Sequence, residues 1–154
     1  MTPYTQSAAH YLNTKVMTAT PEQLQMMLYD GAIRFGEQAR VALRDKKYEE
    51  SHTLITKVQR ILSELTGSLK HAAFPDLCGK LASLYAYAYR QLIEANMGHK
   101  MESLDEALKI LRFQRETWSL LMDQLGKTNA AAVATRMRIP APSARMEASI
   151  SMQG

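Results

Sequence analysis

Glu49 and His52 stand three residues apart, the Glu-x-x-His spacing with which helical bundles hold paired metal ions. A complete site of that kind needs a second such pair and a lone glutamate from each of two further helices, and the chain has no second copy. His10, His71 and His99 fall at an end or between predicted helices, away from any repeated carboxylate pattern, and read as solvated residues. There is no glycine-rich phosphate loop, nucleophile elbow or HExxH. Cys78, the single cysteine, has no internal disulfide partner and reads as a small apolar residue on a helix, at home in a reducing cytosol. These residues predict no enzyme, no cofactor and no metal.

The elements that would position any site are helical. With 154 residues, 7 Gly, 5 Pro and 7% aromatics, the chain suits one domain of long helices rather than many short strands. In "TATPEQLQMMLYDGAIRF", Thr20 can cap, Pro21 fits the first helical position and Gln23 can close a capping box. This first long helix should run to about Arg44, with Leu24, Leu28, Gly31, Phe35 and Ala42 on one face. A second, from near Lys47 to Leu69, carries Ser51, Ile55, Val58, Leu62, Leu65 and Leu69 at spacings of three and four. "KHAAFPD" breaks it, and a third runs from about Pro75 to Gly98, a residue suited to the left-handed turn that ends a helix. The fourth, Met101 to Leu125, repeats Met101, Leu104, Leu108, Leu111, Arg115, Trp118, Met122 and Leu125; Arg115, its polar member, reads as a snorkelling or hydrogen-bonded residue.

The predicted fold is therefore all-α: an antiparallel four-helix bundle over residues 18–126. Residues 1–17 form an N-terminal segment able to add a short helix through Tyr4, Ala8, Tyr11 and Leu12. Residues 127–154, containing Ala, Ser and Pro, read as a mobile tail with at most a short helix near Thr128 to Met137.

Of the net charge of +4, three units come from the tail, where Lys127, Arg136, Arg138 and Arg145 face only Glu147, leaving +1 for the remainder. That remainder lacks the basic face that nucleic-acid binding demands. No stretch approaches the roughly 18 apolar residues of a membrane span, and "MTPYTQSAAH" has no signal-peptide pattern. The expected setting is the cytoplasm, without stable membrane insertion.

Three of the four helices have more apolar surface than one core stripe uses. The second is ordinary, with Thr53, Lys57, Arg60 and Glu64 as its polar back. In the first, Met26, Tyr29 and Ile33 lie opposite Leu24, Leu28 and Phe35; in the fourth, Ile110, Phe113, Leu120 and Leu121 point away from the Leu104 stripe. In "LYAYAYRQLIEAN" of the third, Leu84, Ala88 and Ala95 share a stripe with Leu77, while Tyr85, Tyr89 and Asn96 form another, suited to core or groove. Tyr87 turns to the polar side as an exposed ring. Surplus apolar faces on several helices point to an elongated groove for a partner helix or peptide, and the 10 methionines suit a surface that repacks around its ligand. The alternative is a homo-oligomer whose copies cover these faces.

"TATPEQLQMMLYDGAIRF", the upstream Tyr11, "LYAYAYRQLIEAN" and "RETW" at Arg115 to Trp118 together resemble the FliS family of flagellar export chaperones, in the family's order and spacing. The resemblance implies a cytosolic bundle that binds the disordered C-terminal segment of flagellin, prevents its premature polymerisation and passes it to the flagellar type III export apparatus, with no catalysis. It associates Tyr11 with an N-terminal segment that can occupy part of the client groove. Gln91 and Ala86 depart from the arginine and the acid that many members carry there. The expected client-binding residues are Tyr11, Met26, Tyr29, Ile33, Tyr85, Tyr87, Tyr89, Asn96, Ile110, Phe113, Leu120 and Leu121.

Overall fold

The computed structural model describes residues 3–138. They form α1 (Pro3–Thr18), α2 (Pro21–Arg44), α3 (Tyr48–Gly67), α4 (Pro75–Gly98) and α5 (Met101–Arg138), with no strand among the described residues. The start of α2 is fixed by its cap. Gln23 N–H donates to Thr20 Oγ1 at 3.1 Å, Thr20 N–H donates to Gln23 Oε1 at 3.0 Å, and Pro21 occupies the first turn.

At its other end α2 closes with a left-handed residue. Lys46 has φ 58°, its N–H donates to Leu43 O at 3.1 Å, and Lys47 N–H reaches back to Ala42 O at 2.8 Å. This is the paired hydrogen-bond pattern that usually employs glycine. Helix α4 also ends on a left-handed residue, but it is His99 (φ 51°), not the predicted Gly98. The His99 ring stacks on Tyr48 with centroids 3.7 Å apart and planes within 5°, tying the connector after α4 to the start of α3.

Two compact units divide the chain, Met1–Trp118 and Ser119–Gly154. In the first, the core is drawn from α2 to α5: Tyr29, Ala32 and Ala39 of α2, Ile55, Val58, Leu62 and Leu65 of α3, Tyr85, Ala88, Leu92 and Ala95 of α4, and Leu104, Leu108 and Leu111 of α5. Of the face predicted for α2, Gly31 and Ala42 are buried and Leu28 and Phe35 pack against the core, but Leu24 departs from it and smaller residues join it. Leu24 is exposed, whereas Tyr29, Ala32, Gly36 and Ala39 are buried, because small residues let α5 approach. A Cβ built on Gly36 would overlap the Leu108 side chain, 3.2 Å from its Cγ. Likewise Leu77 of α4 is exposed and Cys78 takes the buried place beside it in sequence.

One edge of α2 is keyed to α5 by polar contacts. Arg40 Nε donates to Asp105 Oδ1 at 2.6 Å, Arg112 pairs with Glu37, Arg115 pairs with Asp30, and Trp118 Nε1 donates to Glu22 O at 3.1 Å. The carboxylate of Asp105 pushes the Arg40 guanidinium pKa up. Exposed, solvent-screened pairs of this kind add little to stability, so they set antiparallel register more than stability. Arg115 is thus a hydrogen-bonded ion-pair member, as its place in the heptad suggested.

Of the second unit, the described residues are the distal part of α5. The helix does not stop at Leu125: it continues through Gly126 and the alanine-rich "KTNAAAVATRMR" to Arg138. Alanine is the strongest helix former, which explains why a segment without an apolar period is helical here. Residues 139–154 of the predicted tail lie outside the described residues. The N-terminal segment, expected as a short helix able to cover a groove, is the 16-residue α1, and every described side chain from Ser7 to Thr18 is exposed.

Candidate functional site

Between the C-terminal half of α3 and the middle of α4 lies a groove of about 520 Å³. Ser63, Thr66 and Gly67 form one wall; Ala82, Tyr85, Ala86, Tyr89 and Arg90 form the other. Its width follows from residue size. Gly67 has nothing within 4 Å of a built Cβ, and Ala82 and Ala86 reach only one carbon from the α4 backbone. The Tyr85 ring makes the floor. Its hydroxyl lies 2.5 Å from that of Tyr29, which also receives a hydrogen bond from Gln25 Nε2 at 3.2 Å. Burial pushes the Tyr85 hydroxyl pKa well up, and the hydrogen bond to Tyr29 adds to the shift.

From the rim of the groove an apolar ridge continues along α4. Tyr89, Ile93 and Met97 are four residues apart, hence on one helical face, and are 36%, 38% and 82% exposed. An exposed, contiguous apolar surface beside a groove can hold the apolar side chains of an extended or helical peptide. Arg90 places a cation at the mouth and forms none of the ion pairs among the described residues.

The predicted client residues separate into three populations. Tyr29 and Ile110 are core residues, which corrects their assignment to an accessible face, while Tyr85, read as core or groove, is buried and also lines the groove; the two tyrosine hydroxyls satisfy each other across the interior, and Ile110 packs with the α5 stripe. Met26, Ile33 and Asn96 are half-buried, and Ile33 packs against the core. Tyr11, Tyr87, Tyr89, Phe113, Leu120 and Leu121 are exposed, Phe113 at 65%. Tyr89 proves as exposed as Tyr87, so the sharp distinction between those two rings does not hold. Only Tyr85 and Tyr89 of the predicted set line the groove.

Sequence reasoning missed Ser63, Thr66, Gly67, Ala82, Ala86, Arg90, Ile93 and Met97. The small residues carry no hydropathy signal, but Ile93 and Met97 were legible at i+4 and i+8 from Tyr89. Glu49 and His52 are exposed in the first turns of α3, and no cluster of three metal-ligating side chains occurs among the described residues. No described helix is long and apolar enough to cross a membrane.

The described residues thus make a helical bundle with a lateral apolar groove and no metal-ligating cluster among them. The chain matches the family described as Flagellar protein FliS over residues 4–125. It is 31% identical over 116 residues to the flagellar secretion chaperone FliS of Bacillus subtilis (strain 168), covering 75% of this chain and 83% of that one. To the flagellar secretion chaperone FliS of Escherichia coli (strain K12) it is 27% identical over 117 residues, 74% of this chain and 86% of the relative. Among solved structures, a bacterial flagellar chaperone superposes with a TM-score of 0.64 at 20% identity, covering 79% of this chain and 99% of that one, a likeness of fold. The chain belongs to the FliS family of flagellar secretion chaperones.

Proposed function

We propose that this protein is a cytoplasmic, non-enzymatic export chaperone that holds the disordered C-terminal segment of flagellin, prevents premature polymerisation and delivers the subunit to the flagellar type III export apparatus. The observation that carries this reading is the open α3–α4 groove continued by the Tyr89, Ile93 and Met97 ridge. Within the first unit Tyr11, Tyr87 and Phe113 are further exposed apolar side chains and Met26, Ile33 and Asn96 are half-buried, and in the second unit Leu120 and Leu121 are exposed; all of these remain candidates for client contact.

The physics suits reversible holding. Each Å² of apolar area covered yields roughly 25 cal/mol, and ordering a disordered client offsets much of the gain. A chaperone built this way competes with flagellin self-assembly in solution yet can release at the export gate. Mixing the protein with full-length flagellin is expected to give a soluble complex in size-exclusion chromatography that is lost when the flagellin C-terminal segment is deleted. Retention of the complex by the truncated flagellin would sink the reading. Sedimentation of the protein alone tests the alternative, pairing of copies through the same faces, which requires a stable oligomer without client.

A further inference from the structure

The polar back of α3 carries a cationic site shared with α2. The Arg34 guanidinium and the Lys57 ammonium, from neighbouring helices, each lie 5.1 Å from the centroid of the same ring, Phe35. Both distances are within cation–π range, so one ring draws two exposed positive heads from neighbouring helices. Phe35 itself is half-buried and packs against the core, giving the site a rigid base.

What makes the site unusual is where the nearby acids point. Asp30 and Glu37, which flank Arg34 about one turn away on α2, are both committed to α5, through Arg115 and Arg112. Arg34, Lys57 and the next basic residue on α3, Arg60, form none of the ion pairs among the described residues. Glu64, one turn beyond Arg60, borders the patch. Arg34 shares a face of α2 with Asp30 and Glu37, but those carboxylates are engaged by α5, so Arg34 forms none of the ion pairs among the described residues.

We propose that Arg34, Lys57 and Phe35 form a second docking surface, separate from the α3–α4 groove, for a short acidic peptide segment of a partner protein. A carboxylate of the partner pairs with the guanidinium and ammonium, and a neighbouring apolar side chain covers the exposed edge of Phe35. Charge scale selects a peptide over a phosphate polymer or a membrane. Residues 1–126 carry a net charge of only +1, and two cations on one ring supply a local contact rather than the extended field those ligands require.

The test is a selection from a random short-peptide library on the intact chain, with the Arg34→Gln/Lys57→Gln variant as the comparison. Both residues are exposed, so the variant is expected to keep the wild-type helical melt; the single Arg34→Gln variant serves the same comparison if it does not. Peptides that bind the wild type about tenfold more tightly than the variant should carry Asp or Glu beside an apolar residue and weaken with added salt. Groove-binding peptides, like flagellin itself, bind both forms equally, which keeps this outcome separate from the chaperone reading. The proposal is overturned if no selected peptide distinguishes the two forms, if those that do lack acids, or if phosphatidylserine vesicles or oligouridine bind through these residues more tightly than any peptide.

Discussion

The hydroxyls of Tyr29 and Tyr85 meet 2.5 Å apart in the interior, linking α2 to α4 across the core. Because the Tyr85 pKa is raised above its ordinary value of 10.0, the folded state holds that proton more tightly than the unfolded chain does. Its contribution to stability is fully present below pH 10 and is lost as the pH climbs above it. Urea melts across that range should show stability falling with pH, and Tyr85→Phe should flatten the fall while lowering neutral-pH stability by about 1–2 kcal/mol. A variant as alkali-sensitive as the wild type would refute the assignment.

Gly36 and Gly126 predict opposite outcomes for the same kind of change. Beside the buried Leu108 there is no room at Gly36, and Gly36→Val should lower stability by about 1–3 kcal/mol in chemical denaturation. Around Gly126 nothing lies within 4 Å, so Gly126→Ala should raise helicity by circular dichroism, in line with about 1 kcal/mol of helix propensity.

Lys46 occupies a left-handed position that a glycine would fill without the clash of a Cβ. Lys46→Gly should raise the denaturation midpoint, corresponding to roughly 0.5–1 kcal/mol after the greater entropy of the unfolded glycine chain is deducted. A lower midpoint would mean that the lysine side chain makes a contact worth more than the backbone relief.

For client binding, exposure sorts three aspartate substitutions into two kinds. Phe113→Asp and Ile93→Asp change exposed positions and should weaken the flagellin complex with the helical melt almost unchanged. Ile33→Asp introduces a charge where the side chain packs against the core, and should lower stability by more than about 1 kcal/mol as well. Isothermal titration alongside thermal melts distinguishes the two behaviours.

These contrasts mark what was legible in the chain. The capping box at Thr20 and the heptad of α5 up to Trp118 gave element positions directly, since their signals are local. The inner face of α2 was read only in part: Gly31, Ala42, Leu28 and Phe35 face the core as expected, but Ala32, Gly36 and Ala39 are buried for their smallness, which matters only once Leu108 is known to oppose them. His99 replaces Gly98 at the left-handed position through a stack with Tyr48, distant in sequence. The groove was missed for a similar reason: its walls are residues that leave space, and space between two helices has no counterpart in a one-dimensional pattern.

The Tyr48–His99 stack also gives the bundle a direction. It fastens together the connectors at one end, while the groove opens toward the other, where residues 68–74 join α3 to α4. A bundle clasped at one end yields first at the other. Amide hydrogens flanking residues 68–74 should therefore exchange with solvent ahead of those beside the clasp.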